Sequence, residues 1–307
     1  MPKIQYITKR FNSSSKTIIA GAIEILDDPE NQGYDLTLRS LYYQFVTRNW
    51  LENSLKSYKR LVSIISDARD AGLIDWNRLI DRTRNVSRKA SWDRPQEIIE
   101  ACSDQFRFDT WEKQDKRVEV WIEKEALIGV ISGVCEKWDV PYFACRGYNS
   151  QSEQWRSSQR FQRHRAGGQA VVVLHLGDHD PSGLDMTRDL RDRFRKYRAY
   201  VEVERLALNW DQIEEYEPPP NPVKLTDIRS PGYVEEYGDE SWELDALRPS
   251  VIAGIAETAI LYHLDHERWE KDQERVKRAR RDLRKIAENY PRLIRNWAKT
   301  RKAIGLE

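Results

Sequence analysis

The stretch Gln169–Gly183, QAVVVLHLGDHDPSG, decides the fold of this chain. Ala170 to Leu176 is a continuous apolar run, as expected of a strand buried on both faces. It opens into the turn Gly177-Asp178-His179-Asp180-Pro181-Ser182-Gly183, after which a helix is predicted from near Leu184. Upstream, Arg117 to Ile122 reads as a strand, Ala126 to Trp138 as a helix, Val140 to Phe143 as a strand and Ser152 to Arg165 as a helix. Strands alternating with helices imply a parallel sheet covered on both faces. Ligands of such sheets collect at the carboxyl ends of the strands. Glu123 directly follows the first strand, and Asp178 and Asp180 follow the third.

An Asp-x-Asp alternation in an extended turn points both side chains the same way. Asp is common in turns and helix caps, so the pair alone carries little; the Glu123-Lys124 pair at another strand end gives it weight. Three crowded carboxylates raise each other's pKa and are most easily stabilised by a divalent cation. Hard oxygen ligands favour magnesium, or manganese, over zinc.

Working outward, the 307 residues suit about two domains. Because 51 Lys and Arg nearly cancel 50 Asp and Glu, any nucleic-acid contact must come from local patches. Cys102, Cys135 and Cys145 lack metal-ligand spacing, which argues against a zinc site or a disulfide framework. No apolar run approaches membrane-spanning length and the first residues carry no signal-like apolar segment, so a cytoplasmic, nucleoid-associated protein without membrane contact is expected.

The first part of the chain reads as α-helical: one helix capped among Ser13, Ser14 and Ser15 and ending near Asp27-Asp28, a second from about Leu36 to Asn49, and a third from about Leu55 to Ala71. Three helices followed by Leu73-Ile74-Asp75-Trp76 suggest a winged helix-turn-helix. Its third helix would carry Lys56, Lys59 and Arg60 toward DNA, although such a face is also an ordinary solvated one. The expected division is 1–88 for this module, 89–115 for a linker with a helix near 96–105, and 116–307 for the α/β domain with a C-terminal helical region from Pro249 to about Tyr290. Within that region, Glu267 to Lys285 mixes both signs of charge and reads as a solvated or dimer-flanking face.

IEKEA at Ile122 to Ala126 with LGDHDPSG at Leu176 to Gly183 resembles the signature of Toprim domains, which are Rossmann-like parallel sheets, and is most similar to the topoisomerase VI A-subunit family, which includes Spo11. Arg39-Ser40-Leu41-Tyr42-Tyr43 resembles that family's R-x-x-(F/Y)-Y motif. The resemblance implies magnesium on Glu123, Asp178 and Asp180, with Lys124 and Arg146-Gly147-Tyr148 near the phosphate. It also implies Tyr43 as nucleophile assisted by Arg39, and a homodimer on double-stranded DNA in which each Tyr43 serves the metal cluster of the opposite subunit and leaves a 5′-phosphotyrosyl link. Arg39 and Tyr43, four apart on a helix, share a face. The short sequence before the first helix argues against a GHKL-type ATPase partner. Three other readings stand beside this one: a Toprim nuclease using water, with Tyr43 a packing residue; a non-catalytic DNA-binding regulator; and primase-like nucleotidyl transfer, for which no zinc module is evident. Glu243 and Asp245 could form a second metal site, but acidic residues so placed more often cap helices or pair with cations.

Overall fold

The computed structural model describes residues 3–31, 34, 36–79, 90–145 and 151–303. Arg146, Gly147 and Tyr148 therefore lie outside the described residues. The chain divides into two compact units, Met1–Arg84 with Lys116–His263, and Asn85–Asp115 with Leu264–Glu307.

In the first unit, α1 (Ser13–Asp27), α2 (Leu38–Thr47) and α3 (Leu55–Asp70) pack around Ile18, Ala22, Ile25, Leu41, Phe45, Leu61 and Ile65. Each start is fixed by a side chain that satisfies an orphan backbone N–H. Asn12, rather than one of the three serines, caps α1, Thr37 caps α2 and Ser54 caps α3. Lys56, Lys59 and Arg60 are exposed on the first turns of α3, with Arg60 donating to the Ser14 hydroxyl.

The α/β part runs β1 (Lys116–Ile122), α5 (Ile128–Lys137), β2 (Tyr142–Ala144), α6 (Gln151–Ala166), β3 (Ala170–Leu176), α7 (Pro181–Lys196) and β4 (Glu202–Ala207). These four strands form a sheet in the order β2-β1-β3-β4, parallel throughout, so the Rossmann-like α/β class expected from the alternation is present. Trp121, Phe161, Val171, Val173 and Phe194 fill its core. Strand order reverses direction between β1 and β3, the position where the crossovers leave a crevice beyond the strand ends. Ile122 and Leu176, the last residues of β1 and β3, are register partners there.

Three local expectations change. The helix after β3 begins at Pro181, because Asp180 accepts from the Gly183 amide and caps it. β4 was not anticipated. The helical region from Pro249 divides into α10 (Pro249–Tyr262) and α11 (His266–Ala303), separated by residues 263–265. Between β4 and α10 (Pro249–Tyr262) lie α8 (Trp210–Tyr216), the two-residue strands β5 (Asn221–Pro222) and β6 (Glu240–Ser241), which pair antiparallel, and α9 (Ser230–Tyr237).

The second unit holds α4 (Pro95–Gln105) against α11 (His266–Ala303). Residues 95–105 of the expected linker thus belong to a packed helix pair. Trp111 is fully buried there, Val276 and Ala287 face inward, and Gln114 exchanges two hydrogen bonds with the Asp265 backbone. No helix among the described residues is long and apolar enough to cross a membrane.

Candidate active site

Beyond the tips of β1 and β3 the ladder continues for one residue, as the Glu123 amide donates to the Leu176 carbonyl at 2.8 Å. That brings the Glu123 side chain over the following turn, where its Oε2 accepts from the Asp178 amide at 2.9 Å. The two strand tips therefore meet as expected. His179, between the two aspartates, is extended: it exchanges backbone hydrogen bonds with Trp242 at 2.8 and 2.9 Å. Its ring lies in a box of Trp210, Tyr233, Tyr237 and Trp242, with Nδ1 2.8 Å from Tyr233 Oη. Burial pushes the imidazole down to about 4, so it stays neutral at physiological pH. Gly183 completes the motif for a steric reason, since a Cβ there would lie 2.2 Å from the Asp178 carbonyl oxygen.

Each carboxylate has one oxygen held by a backbone amide. Glu123 Oε2 accepts from Asp178 N, Asp178 Oδ1 from Leu244 N at 2.7 Å, and Asp180 Oδ1 from Gly183 N at 2.6 Å. This fixes orientation. The other oxygen of each makes no hydrogen bond to the described residues, which leaves three hard donors of the type magnesium or manganese takes. Burial raises the pKa of Glu123 and Asp178. For Glu123 the Asp178 amide and Lys124 oppose the rise while Asp180 adds to it; for Asp178 the Lys124 ammonium opposes it and Glu123 adds to it.

The cation in ion-pair contact with Asp178 is Lys124. Its ammonium lies 2.9 Å from Asp178 Oδ1 and 2.9 Å from Asp245 Oδ1, and also pairs with Glu243. Burial alone would favour the neutral amine, but Asp245, Asp178 and Glu243 more than offset it and keep the group charged. Asp245 passes the network on: its Oδ2 accepts from Arg39 Nε at 2.9 Å, and Arg39 also pairs with Glu243. Arg39 Nη2 then reaches the Tyr43 hydroxyl at 3.4 Å. Tyr43, Arg39, Asp245, Lys124 and Asp178 are thus joined in one chain.

Glu243 and Asp245 accordingly act as ion-pair partners. A third cation, Arg205 on β4, supports the turn from behind by donating to the carbonyls of Gly177, Asp178, Gly183 and Leu208 and to the Thr187 hydroxyl. Five carboxylates, Glu123, Asp178, Asp180, Glu243 and Asp245, then share three cations, Lys124, Arg39 and Arg205. Among the described residues no three His, Cys, Asp or Glu side chains are gathered as a ready-made cage. Ion uptake would require Lys124 to yield or share Asp178.

The two tyrosines part company. Tyr42 Oη accepts from the Ser54 amide at 2.8 Å and lies 3.1 Å from the Glu52 and Ser54 carbonyls, so it anchors the start of α3. Both line a pocket of about 180 Å³ with Arg39, Asn53, Tyr58 and Asn221, but the Tyr43 hydroxyl is the one beside Arg39. Tyr43 is only 4 % exposed. Burial, then Glu243 and Asp245, push its phenol up to about 12, against the pull of Arg39. Asn53 also ties the start of α3 to the β5 loop, donating to the Pro220 carbonyl at 2.9 Å and to Asn221 Oδ1 at 2.8 Å.

Arg205 and the partners of Glu243 and Asp245 were not anticipated. The alternation Val201-Glu202-Val203-Glu204-Arg205 signals β4, but nothing local shows that Arg205 would be wrapped in carbonyls. Comparison with protein-family models, with curated proteins and with solved structures gives no match.

Proposed function

We propose that the chain cleaves DNA strands with magnesium, or manganese, held on Glu123, Asp178 and Asp180, and with Tyr43 as nucleophile, a Toprim-type sheet following a winged-helix-type module. The observation that carries this reading is the hydrogen bond from the Asp178 backbone amide to the Glu123 carboxylate, which ties the tips of β1 and β3 together at the reversal of strand order. When bound, the ion supplies charge stabilisation to the phosphoryl oxygens.

The chain's own groups supply the rest. Arg39 lies beside the phenol oxygen and is placed to favour the phenolate as its proton leaves, and to meet a phosphate. Tyr43 Oη forms the bond to phosphorus, the bond from phosphorus to the 3′ oxygen breaks, and the departing oxygen takes up a proton. A 5′-phosphotyrosyl link and a free 3′ hydroxyl result. Lys124 balances the carboxylates before the substrate arrives. Lys56 and Lys59, exposed at the start of α3, are suited to phosphate contacts. Duplex DNA is the substrate and a homodimer the working assembly in this proposal. The connection from Arg39 to Lys124 within one chain adds that Tyr43 is tied to its own subunit's cluster before any partner arrives.

One observation favours a second reading, in which water attacks instead: Tyr43 is nearly inaccessible and held protonated up to about 12. Supercoiled plasmid incubated with the protein and magnesium or manganese tests both. Cutting is expected, with loss in Asp178→Ala. A covalent protein–DNA adduct that disappears in Tyr43→Phe supports the tyrosine; equal cutting by that variant, with no adduct, supports water. Absence of cutting by the wild type under all these conditions overturns the proposal.

A further inference from the structure

The two halves of α11 treat charge differently. Up to residue 277 its cations have acidic partners one turn away: Lys271 with Glu267, Arg275 with Asp272, and Lys277 with Glu274. From Arg278 to Lys299 there are eight Lys and Arg but only Asp282 and Glu288, in a chain whose net charge is +1. Arg280 and Arg284 are engaged, by the Phe106 carbonyl and by Asp104. The remaining six, Arg278, Arg281, Lys285, Arg292, Arg295 and Lys299, are exposed and make no ion pair or hydrogen bond with the described residues.

Their spacing is three, four, seven, three and four. At about 100° per residue this confines all six to an arc of about 100°, with Glu288 at the one acidic step along the stripe. Val276, Leu283, Ala287, Tyr290, Ile294 and Trp297 fall on the opposite side, the side on which Val276 and Ala287 are buried. The stripe spans about 32 Å, close to the roughly 34 Å of one turn of duplex DNA.

We infer that this stripe is a docking surface for the phosphate backbone of duplex DNA, outside the strand-tip site. Unpaired cations at regular intervals along one side of a helix that continues through Pro291 suit a regular polyanion, because each contact releases condensed counterions and needs no base-specific geometry. A bilayer fits less well. A helix lying on a membrane inserts its apolar face, whereas here that side is already occupied within the protein at Val276 and Ala287. The inference stands on α11 alone, whether or not the strand-tip site cuts DNA.

Anisotropy of a labelled duplex of about 20 base pairs, titrated with full-length protein in EDTA across a salt series, tests it. The variant carries Arg281→Gln, Arg292→Gln and Arg295→Gln, which keep helix propensity. Its plot of log affinity against log salt is expected to be shallower by about 2–3, with affinity at least about tenfold weaker near 0.1 M salt. Helicity and melting temperature are expected to match the wild type. An unchanged slope overturns the inference, as does a variant that loses anionic phosphatidylserine vesicles while keeping DNA. Chelation separates the two readings: a wild type that binds through the stripe but never cuts sinks only the proposed chemistry, and a wild type that cuts while the slope stays unchanged sinks only the stripe.

Discussion

Asp245 in the first unit and Arg292 in the second stand at opposite extremes of how this chain handles charge. Asp245 is almost wholly buried, with Lys124 on one oxygen and Arg39 on the other, each at 2.9 Å. Arg292 lies on an exposed helical stripe with no partner among the described residues. A buried charge survives folding only when several groups answer it, so its position is over-determined and its removal is felt throughout the network. An exposed, unpaired cation contributes almost nothing to the fold. The first arrangement makes a rigid site; the second keeps charge available to something outside the chain.

Substitutions in the two regions test the difference directly. The largest effect is expected from Asp245→Ala, which leaves Lys124 and Arg39 short of a carboxylate and should destabilise the protein by about 2–4 kcal/mol in denaturant titration. Arg39 is partly exposed and can turn to water, which keeps the cost below that of a fully buried pair. A cost below about 0.5 kcal/mol would show that the network is not cohesive.

A smaller effect, with a definite pH dependence, is expected from Glu243→Gln. Burial works against the Glu243 carboxylate, but Lys124 and Arg39 prevail and hold it down at about 2, from an ordinary 4.5. The unfolded chain takes up this proton before the folded one does, so the stabilisation is complete above the ordinary value and is lost as pH falls toward about 2. The gap in melting temperature between wild type and variant should therefore be widest above about pH 5, narrow as pH falls and close only near and below about pH 2. A gap that widens with acid contradicts the pairing. Smallest of all, the three α11 substitutions should move stability by no more than about 0.5 kcal/mol while changing DNA affinity.

How far the sequence was legible follows the same division. The strand Ala170–Leu176 and the turn after it could be read because burial on both faces demands an unbroken apolar run, and because no side chain fits at Gly183, 2.2 Å from a carbonyl oxygen. Glu123 and Asp178 could be placed together because parallel strands end side by side. Alternation gave the expectation that Asp178 and Asp180 share a side, but nothing in it showed that His179 between them would be held in an aromatic box. The partners of Asp245 were beyond reach, since Arg39 lies 206 residues away and only the packing of α2 against the turn after β6 brings the two together. Arg205 was hidden for a related reason: an Arg in a strand reads as an exposed residue until the carbonyls that satisfy it are in place. The Tyr42-Tyr43 pair carried the motif, but only the hydrogen bonds of Tyr42 to the start of α3 distinguish the anchoring hydroxyl from the one beside Arg39.

Manganese binding, followed by the loss of its free-ion electron paramagnetic resonance signal as protein is added without DNA, tests the acid cluster most directly. The account predicts about one tightly bound ion per chain for the wild type, and a loss of affinity of at least about tenfold in both Glu123→Gln and Asp178→Asn. Binding that is equally tight in those variants, or absent in the wild type up to about 10 mM, would contradict it.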